Sequence, residues 1–166
     1  MNYQKFRPCE ILHPFVECYF VWESEEKVEG LVVESPPHGF CSMVFNFGDE
    51  YFLTNKKHEK LQVPRQFISG QSIYSYKLFL NGIISIIGIV FKAAALATLF
   101  SLPVYAYTEE RIPLYNVFEK HVVDSIVNKL QAANNNNEKV RLLEEFVLMS
   151  DYKTKPQPDW HCPRRW

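Results

Sequence analysis

The chain has 166 residues, of which 47% are hydrophobic and 22% charged, as is ordinary for a globular protein. This length suits one domain that buries its own core. The 18 basic and 19 acidic residues give a formal net charge of −1, which excludes the strongly basic character of many nucleic-acid-binding and anionic-lipid-binding proteins. We therefore expect no direct DNA contact by this chain.

The cysteines and the N-terminal residues bear on the cellular compartment. Cys9, Cys18, Cys41 and Cys162 show neither a C-x-x-C pair nor the spacing of a disulfide framework. The first residues mix charged and aromatic side chains and lack the apolar core of a secretory signal. Together these features predict free thiols and a cytoplasmic location.

Strand-like runs and two turn signals fill the first half of the chain. Asn81-Gly82 separates two strand-like runs, and this dipeptide is the strongest short-range hairpin signal because type I′ turns need positive φ at both central residues. Gly48-Asp49 separates two further runs, so the sequence predicts a hairpin at each turn. Other β-branched and aromatic runs predict strands at 16–23, 31–34, 41–47, 51–54 and 65–69.

The most apolar stretch, residues 81–102, has the length of a membrane span, which needs about 20 apolar residues. However, Lys92 lies near its centre, where a charge costs about 2.5–3.5 kcal/mol. The composition also changes at Lys92, from isoleucine and valine, which favour strands, to alanine and leucine, which favour helices. The stretch therefore predicts a buried strand at 83–91 and a helix at 93–102 that ends before Pro103, with no membrane partner.

After Pro113 the apolar spacing changes from two to about 3.6 residues, which predicts a helix at 116–132. Asn135, three residues before Glu138, is predicted to cap a last helix that runs to about residue 151. The apolar arc of this last helix is wider than packing on one surface requires. Either both sides are covered within the monomer, or part of the arc forms a dimer face, with the candidates Val140, Leu143, Phe146 and Val147.

The C-terminal residues differ in character from the rest of the chain. Residues 153–166 are rich in proline and fit neither an amphipathic helix nor an alternating strand. We interpret them as a disordered or non-native tail that follows a single domain at residues 1–152.

The sequence lacks recognisable catalytic and metal-binding signatures. It contains no glycine-rich phosphate loop, Walker motif, G-x-S-x-G elbow or H-E-x-x-H helix. His13, His38, His58 and His121 lie in predicted turns, in a lysine-rich loop or on a helix without a second ligand, and His161 directly precedes Cys162. We therefore predict no catalytic residue, no metal site and no cofactor.

Four ordered segments carry a family resemblance: LHPFVECYFVWE at 12–23, PHGFCSMVFNFGD at 37–49, PRQFISGQ at 64–71 and IGIVFKAAALATLF at 87–100. With Pro103 and the Ile-Pro-Leu at 112–114, they resemble the N-terminal sensing domain of a subgroup of AraC-type bacterial transcriptional regulators. The similarity covers about residues 10–150. It implies a β-barrel-like sensor followed by helices, which binds a small effector or a partner and often supports dimerisation.

The sequence departs from this family pattern in two places. Such sensors often carry Pro-Gly where this chain has Ala93-Ala94, so we expect a longer and more regular helix here. The DNA-reading unit with two helix-turn-helix motifs, to which the sensor is normally joined, is not found in this chain.

The sequence thus predicts an α+β fold with an antiparallel β-barrel or sandwich (cupin-like) over about residues 12–92 and about three C-terminal helices. The leading functional hypothesis is an AraC-type sensing and dimerisation domain, not an enzyme, without its DNA-binding unit. Its expected partners are a small-molecule effector and a second copy of the chain. The alternatives are a stand-alone cupin-like enzyme and a dimerisation fragment. Four aromatic residues in predicted strands are either ligand-binding candidates or ordinary core residues: Trp22, Phe45, Phe47 and Phe91.

Overall fold

The computed structural model describes residues 1–149, in which ten strands and three α-helices are found. The predicted tail at 153–166 and the predicted domain end at 152 lie outside these residues. The strands are β1 (Asn2–Phe6), β2 (Val16–Glu23), β3 (Val28–Ser35), β4 (Cys41–Asn46), β5 (Tyr51–Thr54), β6 (Leu61–Gln62), β7 (Gln66–Ser69), β8 (Tyr76–Gly82), β9 (Ser85–Phe91) and β10 (Arg111–Pro113), and the helices are α1 (Ala95–Phe100), α2 (Lys120–Ala132) and α3 (Asn136–Leu148).

The strands form two antiparallel sheets. The larger sheet has the strand order β1-β2-β9-β4-β7-β10, and the smaller one has the order β3-β8-β5-β6. Each sheet ends in two edge strands, so the part of the chain that the structure describes contains no closed barrel. The α+β class, the antiparallel sheets and the helices after β9 are confirmed, whereas the sheets extend beyond the predicted limits of 12–92 to include β1 and β10.

Both predicted hairpins are wrong, because the chain changes sheet at each turn. β4 and β9 belong to the larger sheet, whereas β5 and β8 belong to the smaller one. Of the two residues Asn81 and Gly82, only Gly82 has a positive φ, at 92°, so a type I′ turn cannot form. The two corners instead contact each other. The backbone amide of Asp49 donates to the carbonyl of Ile83 at 2.8 Å, and the Asp49 carboxylate accepts from the amide of Ile83 at 2.7 Å.

The larger sheet is the middle of three layers. Along β2, Tyr19 and Val21 belong to the core beneath the helices, whereas Phe20 and Trp22 pack against the cluster between the two sheets. This alternation follows from the two-residue period of a strand. The smaller sheet therefore covers one face of the larger sheet, and the helices cover the other.

The helical layer covers the apolar arc of α3 within one chain. Val140, Leu143, Phe146 and Val147 are all buried, with exposures between 0% and 8%. The Phe118 and Phe146 rings meet edge to face at 5.7 Å between centroids. The first of the two interpretations of the wide arc therefore accounts for these side chains, and a dimer through this helix stays a prediction.

The predicted cap of α3 is confirmed. The side chain of Asn135 accepts a hydrogen bond from the amide of Glu138 at 2.9 Å, and the Glu138 carboxylate accepts from the amide of Asn134 at 2.8 Å. The first bond satisfies an orphan amide of the helix, and the second fixes the residue that precedes the cap.

The apolar stretch at 81–102 forms strand β9 and helix α1, as predicted. Within residues 1–149, no helix is long and apolar enough to cross a membrane. The expectation of a longer, regular helix at Ala93-Ala94 is wrong, because α1 begins only at Ala95 and Ala94 adopts a left-handed conformation with φ 63° and ψ −3°. The backbone thus keeps the turn that glycine would make easily, although the residue is alanine.

We expect Ala94→Gly to stabilise the protein by about 1 kcal/mol, because glycine removes the steric penalty of a left-handed residue. Urea unfolding followed by circular dichroism measures this change. Ala97→Gly is the matched control, since Ala97 is exposed inside α1 and glycine there costs about 1 kcal/mol. Destabilisation by both substitutions would contradict the prediction.

Candidate functional site

A cavity of about 430 Å³ lies between the two sheets, and we call it the inter-sheet cavity. Its volume falls in the range of about 300–1,000 Å³ that is usual for small-molecule sites. Its walls are mainly aromatic and aliphatic, with a few polar groups. The lining includes Tyr3, Phe20, Trp22, Val44, Leu53, Phe67, Leu78, Ile86 and Val90, with the polar or charged residues Lys5, Ser35, His38, Ser42, Tyr51, Ser69, Tyr76 and Arg111.

The side chains that the larger sheet contributes to this cavity lie in rows that run across paired strands. Ser69 on β7 is the register partner of both Arg111 on β10 and Ser42 on β4, and all three line the cavity. The next row along the strands contains Phe67, Val44 and Gly88. Rows on one face are about 7 Å apart, since each residue of a strand rises about 3.4 Å. A polar row therefore lies next to an apolar one.

Gly88 makes room for an aromatic ring in the apolar row. A Cβ atom at this position would lie 2.5 Å from the Phe20 ring and 2.9 Å from the carbonyl oxygen of Met43. Phe20 in turn stacks on Tyr3 of the edge strand, with 6.1 Å between ring centroids. The missing side chain at Gly88 thus lets Phe20 lie close against the sheet.

Arg111 places a guanidinium in the cavity wall although the residue is only 7% exposed. Its Cζ lies 4.9 Å from the centroid of the Tyr76 ring, within cation–π range, and its Nη1 donates to the carbonyl of Glu110 at 3.1 Å. Burial lowers the pKa of Arg111, while Tyr76, Tyr51 and Glu109 oppose this shift. An arginine keeps its proton in proteins, so a desolvated positive charge borders the cavity.

The two acidic residues before Arg111 bind other groups. Glu109 is 5% exposed and has φ 64°, and its carboxylate accepts from the amides of Ile73 and Tyr74 and, at 3.0 Å, from the side-chain amide of Asn55. These bonds tie the start of β10 to a loop of the smaller sheet and to the segment before β8.

Glu110 lies nearer the surface, forms an ion pair with Lys57 and contacts the His58 ring nitrogen at 3.4 Å. Within residues 1–149, no carboxylate forms an ion pair with Arg111.

Tyr51, Tyr76 and His38 complete the polar end of the cavity. The His38 ring meets Tyr76 edge to face at 6.1 Å, and burial lowers the pKa of His38. Burial raises the pKa of Tyr51, so its phenol stays protonated at neutral pH. Burial thus favours the neutral forms of both His38 and Tyr51.

The four predicted ligand-binding aromatics lie in two different places. Trp22 lines the inter-sheet cavity. Phe45 and Phe91 are fully buried in the core beneath the helices, on the opposite face of the larger sheet, and Phe47 packs against that same core. The structure thus does not bring the four together, and ligand contact by Trp22 stays a prediction.

Sequence reasoning missed Arg111, Tyr51 and Tyr76. Arg111 follows two glutamates, and such a charged run is normally solvated. One signal could have identified Arg111. The polar–apolar alternation of Arg111 and Ile112 is compatible with a short strand, which pairs with Ile68 and Ser69 on β7.

A second cavity, of about 370 Å³, lies between α2 and α3 and is lined by Val122, Ile126, Leu142, Phe146 and Met149, among others. The charged or ionisable residues around it, such as His121 and Lys129, are mostly exposed, and Met149 is the last described residue. We take the inter-sheet cavity as the candidate site because it alone of these two has a buried charge in its wall.

Histidines and acidic residues of residues 1–149 form no group of three that could hold a metal ion. Cys9, Cys18 and Cys41 are free thiols. His13 and His38 contact backbone carbonyls, of Pro8 at 3.0 Å and of Phe40 at 3.2 Å respectively.

The structure defines an α+β domain with a cavity between two antiparallel sheets. The family described as "Domain of unknown function (DUF6597)" matches residues 4–113, more than half of the sequence, and the chain belongs to this family. The match begins within β1 and ends at the last residue of β10, so it spans both sheets. No curated protein and no solved structure matches the chain.

We expect Glu109→Ala to destabilise the protein by about 2–3 kcal/mol, because it leaves two backbone amides and Asn55 without their acceptor. Glu110→Ala is the neighbouring control and should cost less than about 1 kcal/mol, since its ion pair is with Lys57, whose side chain is 52% exposed. Chemical denaturation of both variants measures the difference. Equal losses would show that the buried carboxylate has no special structural role.

Proposed function

We propose that this chain is the effector-sensing domain of an AraC-type transcriptional regulator and that the inter-sheet cavity binds the effector. The observation that carries this proposal is the cavity itself, whose apolar walls and few convergent polar groups are typical of small-molecule sites. The domain acts in this proposal by binding, without catalysis.

The position of the family resemblance supports the regulator assignment. Its four segments contain β2, β4, β7 and residues 87–91 of β9, the four inner strands of the larger sheet, and the last segment continues into α1. The resemblance therefore follows one continuous piece of the fold. A cupin-like description of the two facing sheets belongs to the same proposal.

The layer order supports a route from ligand to helices. Phe20 and Trp22 face the space between the sheets, whereas their neighbours Tyr19 and Val21 contact the core that includes α2 and α3. A ligand that favours one position of the larger sheet would thus favour one arrangement of the helices, as a shift between populations. The helices would present that difference to a second copy or to a DNA-reading unit.

Binding in the cavity can be tested with phenylnaphthylamine, a neutral apolar dye whose fluorescence rises in apolar sites. We expect saturable binding to the unaltered chain and about tenfold weaker binding to Val90→Phe, or about 1.4 kcal/mol, because the larger ring occupies the cavity. Val32→Phe is the matched control, since Val32 is 50% exposed on β3 and outside the cavity.

Two results would contradict the binding proposal: no saturable binding to the unaltered chain, or equal binding to both valine variants. Thermal unfolding of each variant shows whether it is folded during the titration.

The regulator assignment has its own test in the gene. We expect the DNA beyond the codon for Trp166, read in all three frames, to encode two helix-turn-helix units. Absence of such a unit would leave a ligand-binding module without this output, and it would not affect the binding test.

A further inference from the structure

We infer that the ligand of the inter-sheet cavity is a small organic carboxylate, whose anionic group binds Arg111 and whose body is apolar and aromatic or similarly flat. This inference rests on the proposed function, because it names the chemical class of the ligand for the same cavity. Three features of the described residues carry it.

The first feature is the charge balance of the cavity. Its lining contains two permanently charged side chains, Arg111 and Lys5, and both are positive. Lys5 is exposed at the edge strand, whereas Arg111 is 7% exposed. Among the described lining residues there is no aspartate or glutamate, so the lining itself attracts a carboxylate. Glu109 acts electrostatically on Arg111 and His38 from outside the lining, and its carboxylate is held by three hydrogen bonds.

The second feature is that no carboxylate within residues 1–149 forms a salt bridge with Arg111, although the Glu109 carboxylate attracts the guanidinium electrostatically. The carboxylate of Glu109 is taken by two backbone amides and Asn55, and that of Glu110 by Lys57 and His58. A buried charge is costly unless it is paired. The cation–π contact with Tyr76 covers one face of the guanidinium, and Nη1 donates to the carbonyl of Glu110. The remaining in-plane N–H donors are the groups that would recognise a planar carboxylate.

The third feature is the order of the rows behind the cavity. Arg111 shares its row with Ser69 and Ser42, and the following row is apolar and includes Val44 and the Phe20 ring over Gly88. A ligand held at its anionic end by Arg111 would therefore place its body along aromatic and aliphatic walls. Trp22 lies still farther along this face, in register with Ile86.

A comparison of phenylbutyrate with its neutral amide, phenylbutanamide, tests the inference directly on the unaltered full chain. The two probes share one body and differ in the anionic group. By calorimetric titration at fixed ionic strength we expect phenylbutyrate to bind about tenfold more tightly, as a charged hydrogen bond to arginine would give. Because no substitution is needed, this result does not depend on the folding of a variant.

Variants then test whether Arg111 is the source of the preference. Arg111→Met should abolish the preference for the carboxylate and leave amide binding nearly unchanged, and Arg111→Lys, which keeps the charge but not the planar fork, should retain part of it. Arg141→Met is the matched control because Arg141 is exposed on α3, far from the cavity lining, and it should keep the full preference.

Equal affinities for phenylbutyrate and phenylbutanamide, or a preference that persists in folded Arg111→Met, would overturn the inference. If phenylnaphthylamine still binds in the way that the valine variants predict, the cavity remains a ligand site and the carboxylate assignment alone fails. If neither phenylnaphthylamine nor the two phenylbutyl probes binds, both the proposed function and this inference fail.

Discussion

The fold depends on one constraint, which is that the larger sheet is buried on both faces. Strand β9 lies in its interior, between β2 and β4, so its side chains must suit two different cores. Ile87, Ile89 and Phe91 pack beneath the helices, whereas Ile86, Gly88 and Val90 face the smaller sheet or the cavity. A strand buried on both faces is continuously apolar instead of alternating. This is why residues 85–91 are almost continuously apolar, within a stretch as long as a membrane span, and yet form a strand.

The sequence patterns predicted the positions of the strands better than they predicted which strands pair. Strands at 16–23 and 51–54 form with the predicted limits, because β-branched and aromatic runs are local signals. The hairpin at Asn81-Gly82 does not form, because a turn between paired strands and a corner between sheets use the same residue types. What decides between them is a contact from elsewhere in the chain. The Asp49 carboxylate binds the backbone amide of Ile83. A Cβ atom at Gly82 would lie 2.1 Å from that carboxylate, so the corner needs glycine there.

The candidate site was harder to predict than the fold, because one residue of register decides which core a side chain enters. Val44 faces the cavity, and its neighbour Phe45 is fully buried beneath the helices. Of the four predicted aromatic residues, Phe45 and Phe91 are fully buried, and Trp22 and Phe47 are partly buried. Aromatic character could not assign them to a face. Arg111 was missed for a different reason. A charged run gives no local sign that its third member enters a core, and the bonds that allow this come from Asn55, Ile73 and Tyr74.

The segment around Arg111 also joins the cavity to the helices over a short length of chain. At Glu109 the positive φ turns the backbone, so that the glutamates reach the loops of the smaller sheet while Arg111 enters the cavity wall. Only a few residues later, Leu114, Val117 and Phe118 are fully buried in the core beneath the helices, and α2 begins at Lys120. β10, which carries Arg111, is thus covalently continuous with the residues on which α2 and α3 pack. In the proposed sensor this gives ligand binding a route to the helical layer that passes through the chain itself, in addition to the route through the larger sheet.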